Sequence, residues 1–187
     1  MAEHCADNAL DRALGETWER NFARLAGEHG LCFTPHQIGR PDESASAHQR
    51  GAHGWQRLLL PDVTVWSAPG EHHEIKHKDA TRHGTYGLER YRLEPLVAFA
   101  LETDQDVLYT IHDWRLAGAS SSREAMANRI EHWRTADVLD LAANIDLVAP
   151  VWTWRGGRKV REPGCYWSVD RWAPLAARWR AANAVAA

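Results

Sequence analysis

The sequence predicts a mixed α/β domain, on three observations. Leu10, Leu14, Trp18, Phe22 and Leu25 recur at spacings of four and three, the stripe of an amphipathic helix. Val107 to Asp113 (VLYTIHD) reads as a buried strand. Arg57 to Trp66 and His72 to Lys78 are two more strand candidates, joined by the turn residues Ser67-Ala68-Pro69-Gly70. Helices and strands therefore mix without strict βαβ alternation.

Taken in order, the first helix runs from Asp7 to His29, and Gly30 sits where a helix stops. Leu31 to His36 is a short strand. Gly39 to Gly54 is small and polar, the composition of an exposed loop. The two strands of the hairpin follow. A second helix carries Leu93, Leu96, Val97, Ala100 and Leu101 on one face. Pro95 either lies in its first turn or kinks a helix that begins near Gly87. After the VLYTIHD strand, Ser121 and Glu124 form a capping-box pattern that opens a helix to Arg134. A short helix covers Thr135 to Ala143. Val151 to Val169 reads as short strands, with turns at Gly156-Gly157 and Pro163-Gly164. Asp170 to Ala187 is a last helix.

At 187 residues, with 44% hydrophobic and 25% charged residues, the chain can bury a real core. No apolar run approaches the roughly 18 residues of a membrane span. Met1 to Asp11 lacks a basic stretch followed by an apolar core, so the cytoplasm is the expected location and no membrane partner is expected. Three cysteines without a CxxC spacing indicate neither a disulfide framework nor a zinc knuckle. The net charge of -3 excludes a protein that coats nucleic acid by bulk charge. Any such site is a local basic patch.

The informative stretch is Pro61-Asp62, then eleven residues, then Glu74-Ile75-Lys76. A hairpin turning near Pro69 sets Asp62 almost opposite Lys76. Neighbouring strands lie about 4.8 Å apart, so Asp62 and Glu74 can converge on one ion. Glu74 and Lys76, two apart on a strand, share a face, and Ile75 points to the other. Two carboxylates beside a lysine pack poorly unless they are paired or hold a metal. Mg²⁺ removes their repulsion and takes oxygen ligands. A third carboxylate is available on the first helix, where Asp11, Gly15 and Glu19 are spaced by four, and Gly15 leaves space one turn before Glu19. Glu16 takes that place if the helix is rotated.

These residues resemble the signature of the PD-(D/E)XK nuclease superfamily: Pro61-Asp62 and Glu74-Ile75-Lys76 with a preceding Gly15 to Glu19 helix. The order of elements from Asp7 to Asp113 is similar to that family's αβββαβ core. The resemblance covers about 110 residues and implies a restriction-endonuclease-like fold there, to which the sequence adds a small C-terminal β element and terminal helix outside the common core. It implies one nuclease domain over 1–187, its core about 7–134 and a C-terminal extension about 135–187. It also implies phosphodiester hydrolysis, with Asp62, Glu74, the Ile75 carbonyl and Glu19 holding Mg²⁺, for which Mn²⁺ substitutes. Lys76 would orient or help deprotonate the attacking water, or steady charge on the phosphate. The implied partner is nucleic acid, DNA rather than RNA, and a homodimer is an arrangement such enzymes allow. Holliday-junction-resolvase-like members are similar in this region, with a short hairpin followed by an Arg-rich helix.

Two basic groups could track phosphates. Lys78, Arg82, Arg90 and Arg92 follow the lysine motif. Arg155, Arg158, Lys159 and Arg161 lie among Trp152, Trp154, Tyr166 and Trp167, a mixture that suits base stacking. The plainer reading makes the first group a solvated helix face and the tryptophans core. The runner-up to the nuclease is a nucleic-acid-binding module without catalysis. A third class, a His-ligated metalloprotein, is raised by His72, His73, His77 and His83 on the hairpin, whose plainer reading is rim residues or phosphate contacts.

Overall fold

The computed structural model describes residues 2–36, 46–51, 54–59, 61–66, 70–78, 80–116, 129–155 and 158–186. Helix α1 covers Ala2–Glu28 and strand β1 Cys32–Pro35. Strands β2 (Ser46–Gly51) and β3 (Gly54–Leu59) form a separate hairpin. Then come β4 (Val63–Trp66), β5 (Glu71–Lys78), β6 (Thr85–Glu89), α2 (Arg90–Thr103) and β7 (Asp106–Asp113). A 3₁₀ turn at Ile130–His132 leads into β8 (Trp133–Asp137) and α3 (Val138–Ala143). The chain ends with β9 (Leu147–Arg155), β10 (Arg158–Ser168), a 3₁₀ turn, β11 (Ala173–Pro174) and α4 (Leu175–Ala186).

The central sheet has the order β1-β4-β5-β7-β8-β11. Among the described residues only β5 and β7 pair in parallel, and α2 lies in the crossover between them. Alternation along β5 sends residues to two different layers. Ile75 packs with Trp18, Phe22, Leu25, Val63 and Val65 under α1, where Trp133 and Trp179 close the cluster. The other layer joins Leu93, Leu96 and Ala100 of α2 to Val107, Tyr109 and Ile111 of β7. Trp18, Trp133, Trp167, Trp172 and Trp179 are all buried, so half of the ten tryptophans are core. Trp66 and Trp152 are exposed, at 58% and 62%, so packing does not account for them.

The structure corrects several expectations. Ser46–Gly51 is a strand within the stretch expected to be a loop, while 37–45 lies outside the described residues. Its pairing with β3 needs backbone only, and its composition shows no apolar alternation to betray it. The expected strand Arg57 to Trp66 is two strands, divided at Pro61-Asp62, where proline offers no N–H. Gly87 lies in β6, not in a helix, because β6 pairs with β10. The helix expected over Ser121 to Arg134 is replaced at its end by the 3₁₀ turn and β8, which extends the sheet beside β7. Its capping-box residues lie outside the described residues. Thr135 to Asp137, expected to open the next helix, completes β8, and Asp137 caps α3 by accepting from the Asp140 N–H at 2.9 Å. Pro163-Gly164 makes no turn: β10 runs through it, with Pro163 facing Pro150. Residues 156–157 lie outside the described residues, yet Arg155 and Arg158 pair across them as a hairpin requires.

The smaller sheet, β6-β10-β9, packs Tyr86, Leu88, Cys165 and Trp167 into the α2 layer. On its other face a Cβ at Gly87 would stand 2.6 Å from the Tyr166 ring. Gly87→Ala is therefore expected to displace that ring and cost about 1–3 kcal/mol. Thermal unfolding checks this, and an unchanged Tm would show the ring to be free to move.

Candidate active site

The register Val63↔His73 brings Asp62 beside Glu74 and Ile75. This is two residues from the expected alignment with Lys76, because β4 and β5 turn about residue 68 rather than 69. Asp62 and Glu74 are nearly inaccessible, at 5% and 2%. The Ile75 N–H donates to Asp62 Oδ2 at 2.7 Å, which fixes that carboxyl across the two strands. Lys76 curls back over its own strand. Its Nζ lies 2.5 Å from Glu74 Oε1, 2.9 Å from the Ile75 carbonyl oxygen and 3.7 Å from Asp62 Oδ2. Three oxygens thus converge on one positive centre. Arg92, from α2, comes within 3.9 Å of Glu74 Oε1. Glu74 Oε2 is buried without a hydrogen-bond partner.

The electrostatics follow from this crowding. Burial first, and then the neighbouring Glu74, pushes the Asp62 carboxyl up to about 8. Burial would lower Lys76, but Glu74 and Asp62 outweigh it and raise its pKa above that of an ordinary lysine. Burial also raises Glu19, with Glu74 adding to the rise and Lys76 opposing it. Glu19 is therefore close enough to share the field of the site, as its place one turn after Gly15 suggests. A Cβ at Gly15 would meet nothing within 4 Å.

This donor set fits a hard divalent cation. Two carboxylates and a backbone carbonyl already gather around a positive charge, and one carboxylate oxygen has no partner. Among the described residues no group of three or more His, Cys, Asp or Glu is placed to hold a metal ion, so Glu19 does not join Asp62 and Glu74 as the expected third carboxylate ligand.

The histidines go to separate places. His73 is buried against Phe22, with Nδ1 2.8 Å from Thr110 Oγ1. His72 joins Thr64 and Gln105. His77 stacks on Trp18 at 4.1 Å, and His83 is exposed beside Arg82. Among the described residues the four do not gather into one metal-holding group, the alternative their spacing raised. Trp18 also stacks on His112 at 4.0 Å, and the two imidazoles lie 5.0 Å from each other, so this three-ring contact seats the turn of α1 that carries Glu19.

The basic residues separate in the same way. Arg82 and Arg90 are exposed, and Arg90 pairs with Glu94 at 3.0 Å. Lys78 turns inward and donates to the Gly87 carbonyl at 2.5 Å. Lys159 lies over the exposed Trp152 ring at 5.6 Å. The Arg155 and Arg158 side chains lie outside the described residues. Beside Lys78 lies Tyr109, which the sequence did not single out and whose hydroxyl also donates to Gly87 O, at 3.2 Å. Nothing in VLYTIHD distinguishes it from a core aromatic.

No helix among the described residues is long and apolar enough to cross a membrane. No protein-family model matches the chain. No curated protein matches it either. Among solved structures, the chain is similar to Hjc, a Holliday junction resolvase from the archaeal hyperthermophile Archaeoglobus fulgidus. Identity is 12% and the TM-score 0.48, over 89% of this chain and 95% of that one.

Proposed function

We propose that the protein is a divalent-metal-dependent nuclease that hydrolyses phosphodiester bonds in DNA, acting as one domain on a core of the PD-(D/E)XK type. One observation carries the reading: Asp62, Glu74 and the Ile75 carbonyl converge on a single positive centre, with Glu74 Oε2 left unpartnered. Asp62, Glu74 and the Ile75 carbonyl would hold Mg²⁺, with Glu19 adding negative charge. When bound, such an ion polarises a phosphate oxygen and makes its water more acidic. Lys76 is an ammonium at neutral pH, since its pKa is raised. It donates hydrogen bonds to the attacking water or to the phosphate and does not serve as a free base. Arg92 offers a second positive group beside Glu74. Water forms the new P–O bond, the bond to the 3′-oxygen breaks, and that oxygen leaves with a proton.

Purified protein is expected to cut at least one of single-stranded, duplex and four-way DNA with Mg²⁺ or Mn²⁺, and to stop in EDTA. Lys76→Ala is expected to lower kcat by about 10²–10³-fold, the scale of losing one preorganised hydrogen-bond donor. DNA binding without turnover, or cutting that survives EDTA, overturns the reading.

A further inference from the structure

Beyond Lys76, the same face of β5 leads to Lys78, about 7 Å further along the strand. There a cleft of about 170 Å³ opens between β5 and the smaller sheet, lined by Lys78, Gly87, Glu89, Val151, Gly164 and Tyr166. A single water needs only on the order of 10–15 Å³. The Tyr166 ring lies across two glycines. A Cβ at Gly87 would stand 2.6 Å from one edge of it, and a Cβ at Gly164 3.1 Å from the other. Glycine at both positions lets the half-buried ring lie along the β6–β10 ladder as a platform. Lys78 Nζ sits at the cleft wall, bonded to Gly87 O and 5.4 Å from the Tyr109 ring centre. Glu89 brings a carboxylate to the same wall, 3.8 Å from Arg92.

A phosphate suits this cleft poorly, because Glu89 repels it and Val151 and Tyr166 present apolar surface. A neutral planar group with donors and acceptors on its edge suits it well. We propose that the cleft takes one unpaired nucleobase of the substrate strand, stacked on Tyr166, with Lys78 and Glu89 hydrogen-bonding its edge. The inference rests on the nuclease reading and adds substrate selection: DNA with an unpaired nucleotide beside the cut is preferred to continuous duplex.

The test uses the full chain with Ca²⁺ and a duplex carrying 2-aminopurine as its one unpaired base. Wild type is expected to alter the probe's fluorescence and to prefer this DNA over continuous duplex by about tenfold, the scale of one base–aromatic stack. Tyr166→Phe keeps the preference and Tyr166→Leu abolishes it. Lys78→Met leaves the platform in place and weakens the preference several-fold, so the inference stays testable if Tyr166→Leu does not fold. Equal affinity of wild type for both DNAs overturns it, as does a preference unchanged in both Tyr166→Leu and Lys78→Met. Cleavage in Mg²⁺ is scored separately. Turnover without a Tyr166-dependent preference overturns the pocket and leaves the nuclease reading standing. A Tyr166-dependent response without turnover supports the pocket and overturns the nuclease reading.

Discussion

Asp62→Asn is expected to abolish metal-dependent cleavage and, in the same molecule, to stabilise the metal-free fold at pH 8. The first effect follows from losing an anionic ligand at the place where three oxygens converge. Charge stabilisation by a bound cation amounts to several kcal/mol, so kcat/KM is expected to fall on the order of a thousandfold. The second follows from burial. In the folded protein the Asp62 carboxyl titrates at about 8, against 3.8 ordinarily. The folded state then holds a proton that the unfolded state releases. The stability this contributes is complete below pH 3.8 and is lost as pH rises toward 8. At about 1.4 kcal/mol per pH unit of full slope, the loss across that window is a few kcal/mol. Asn carries no charge at any pH, so its variant escapes the loss. Mg²⁺ offsets the same charge, and is expected to raise the Tm of wild type more at pH 8 than at pH 5. Calorimetry at both pH values, with Mg²⁺ and with EDTA, checks all of this. A wild type whose metal-free stability does not fall between pH 5 and 8 sinks the electrostatic account, and an active Asp62→Asn sinks the ligand assignment.

Arg178→Met is expected to destabilise the fold by roughly 2–3 kcal/mol without touching the site. Arg178, on α4, donates through Nε to Glu71 at 2.6 Å and reaches Asp106 at 3.3 Å. Glu71 is 3% exposed at the start of β5, and His73 Nε2 lies 3.3 Å from its other oxygen. Burial pushes the Glu71 carboxyl up, yet His73 and Arg178 together hold it below the ordinary value. Removing one partner of a buried pair costs about 3–5 kcal/mol, because the other charge stays buried and unpaired. Arg178 is about a third exposed, and solvent screening brings the figure down. Glu71→Gln in the same chain removes the stranded charge and is expected to recover most of the loss. Urea unfolding of the single and double variants measures this. A single variant within about 0.5 kcal/mol of wild type would show that α4 docks through Trp179 and Leu175 alone.

The sequence was legible where the signal is local. The helical stripe of Trp18, Phe22 and Leu25 packs as its spacing says, and VLYTIHD is a central strand. Glu74 and Lys76 do share a strand face, and Asp62 does come beside them. Elements were misread where long-range pairing makes the decision. Gly87 and Trp133 to Asp137 are strands because β10 and β7 supply their hydrogen bonds, and those partners lie 21 or more residues away. Pro163-Gly164 carries a turn signal that an eleven-residue strand overrides. The tryptophan excess resolves only residue by residue: Trp167 is fully buried and Trp152 lies open beneath Lys159.

By itself, then, the amino-acid order determined the α/β class, the period of each face and the residue types that can hold a cation, since all of these depend on neighbours close in the chain. Only the tertiary structure decided the register that sets Asp62 against Glu74, the inward turn of Lys78, the dispersal of the histidines and the placing of the Tyr166 ring across Gly87 and Gly164. Each of these depends on which distant strand supplies the hydrogen bonds, and a shift of one residue in pairing reverses the face that every side chain presents.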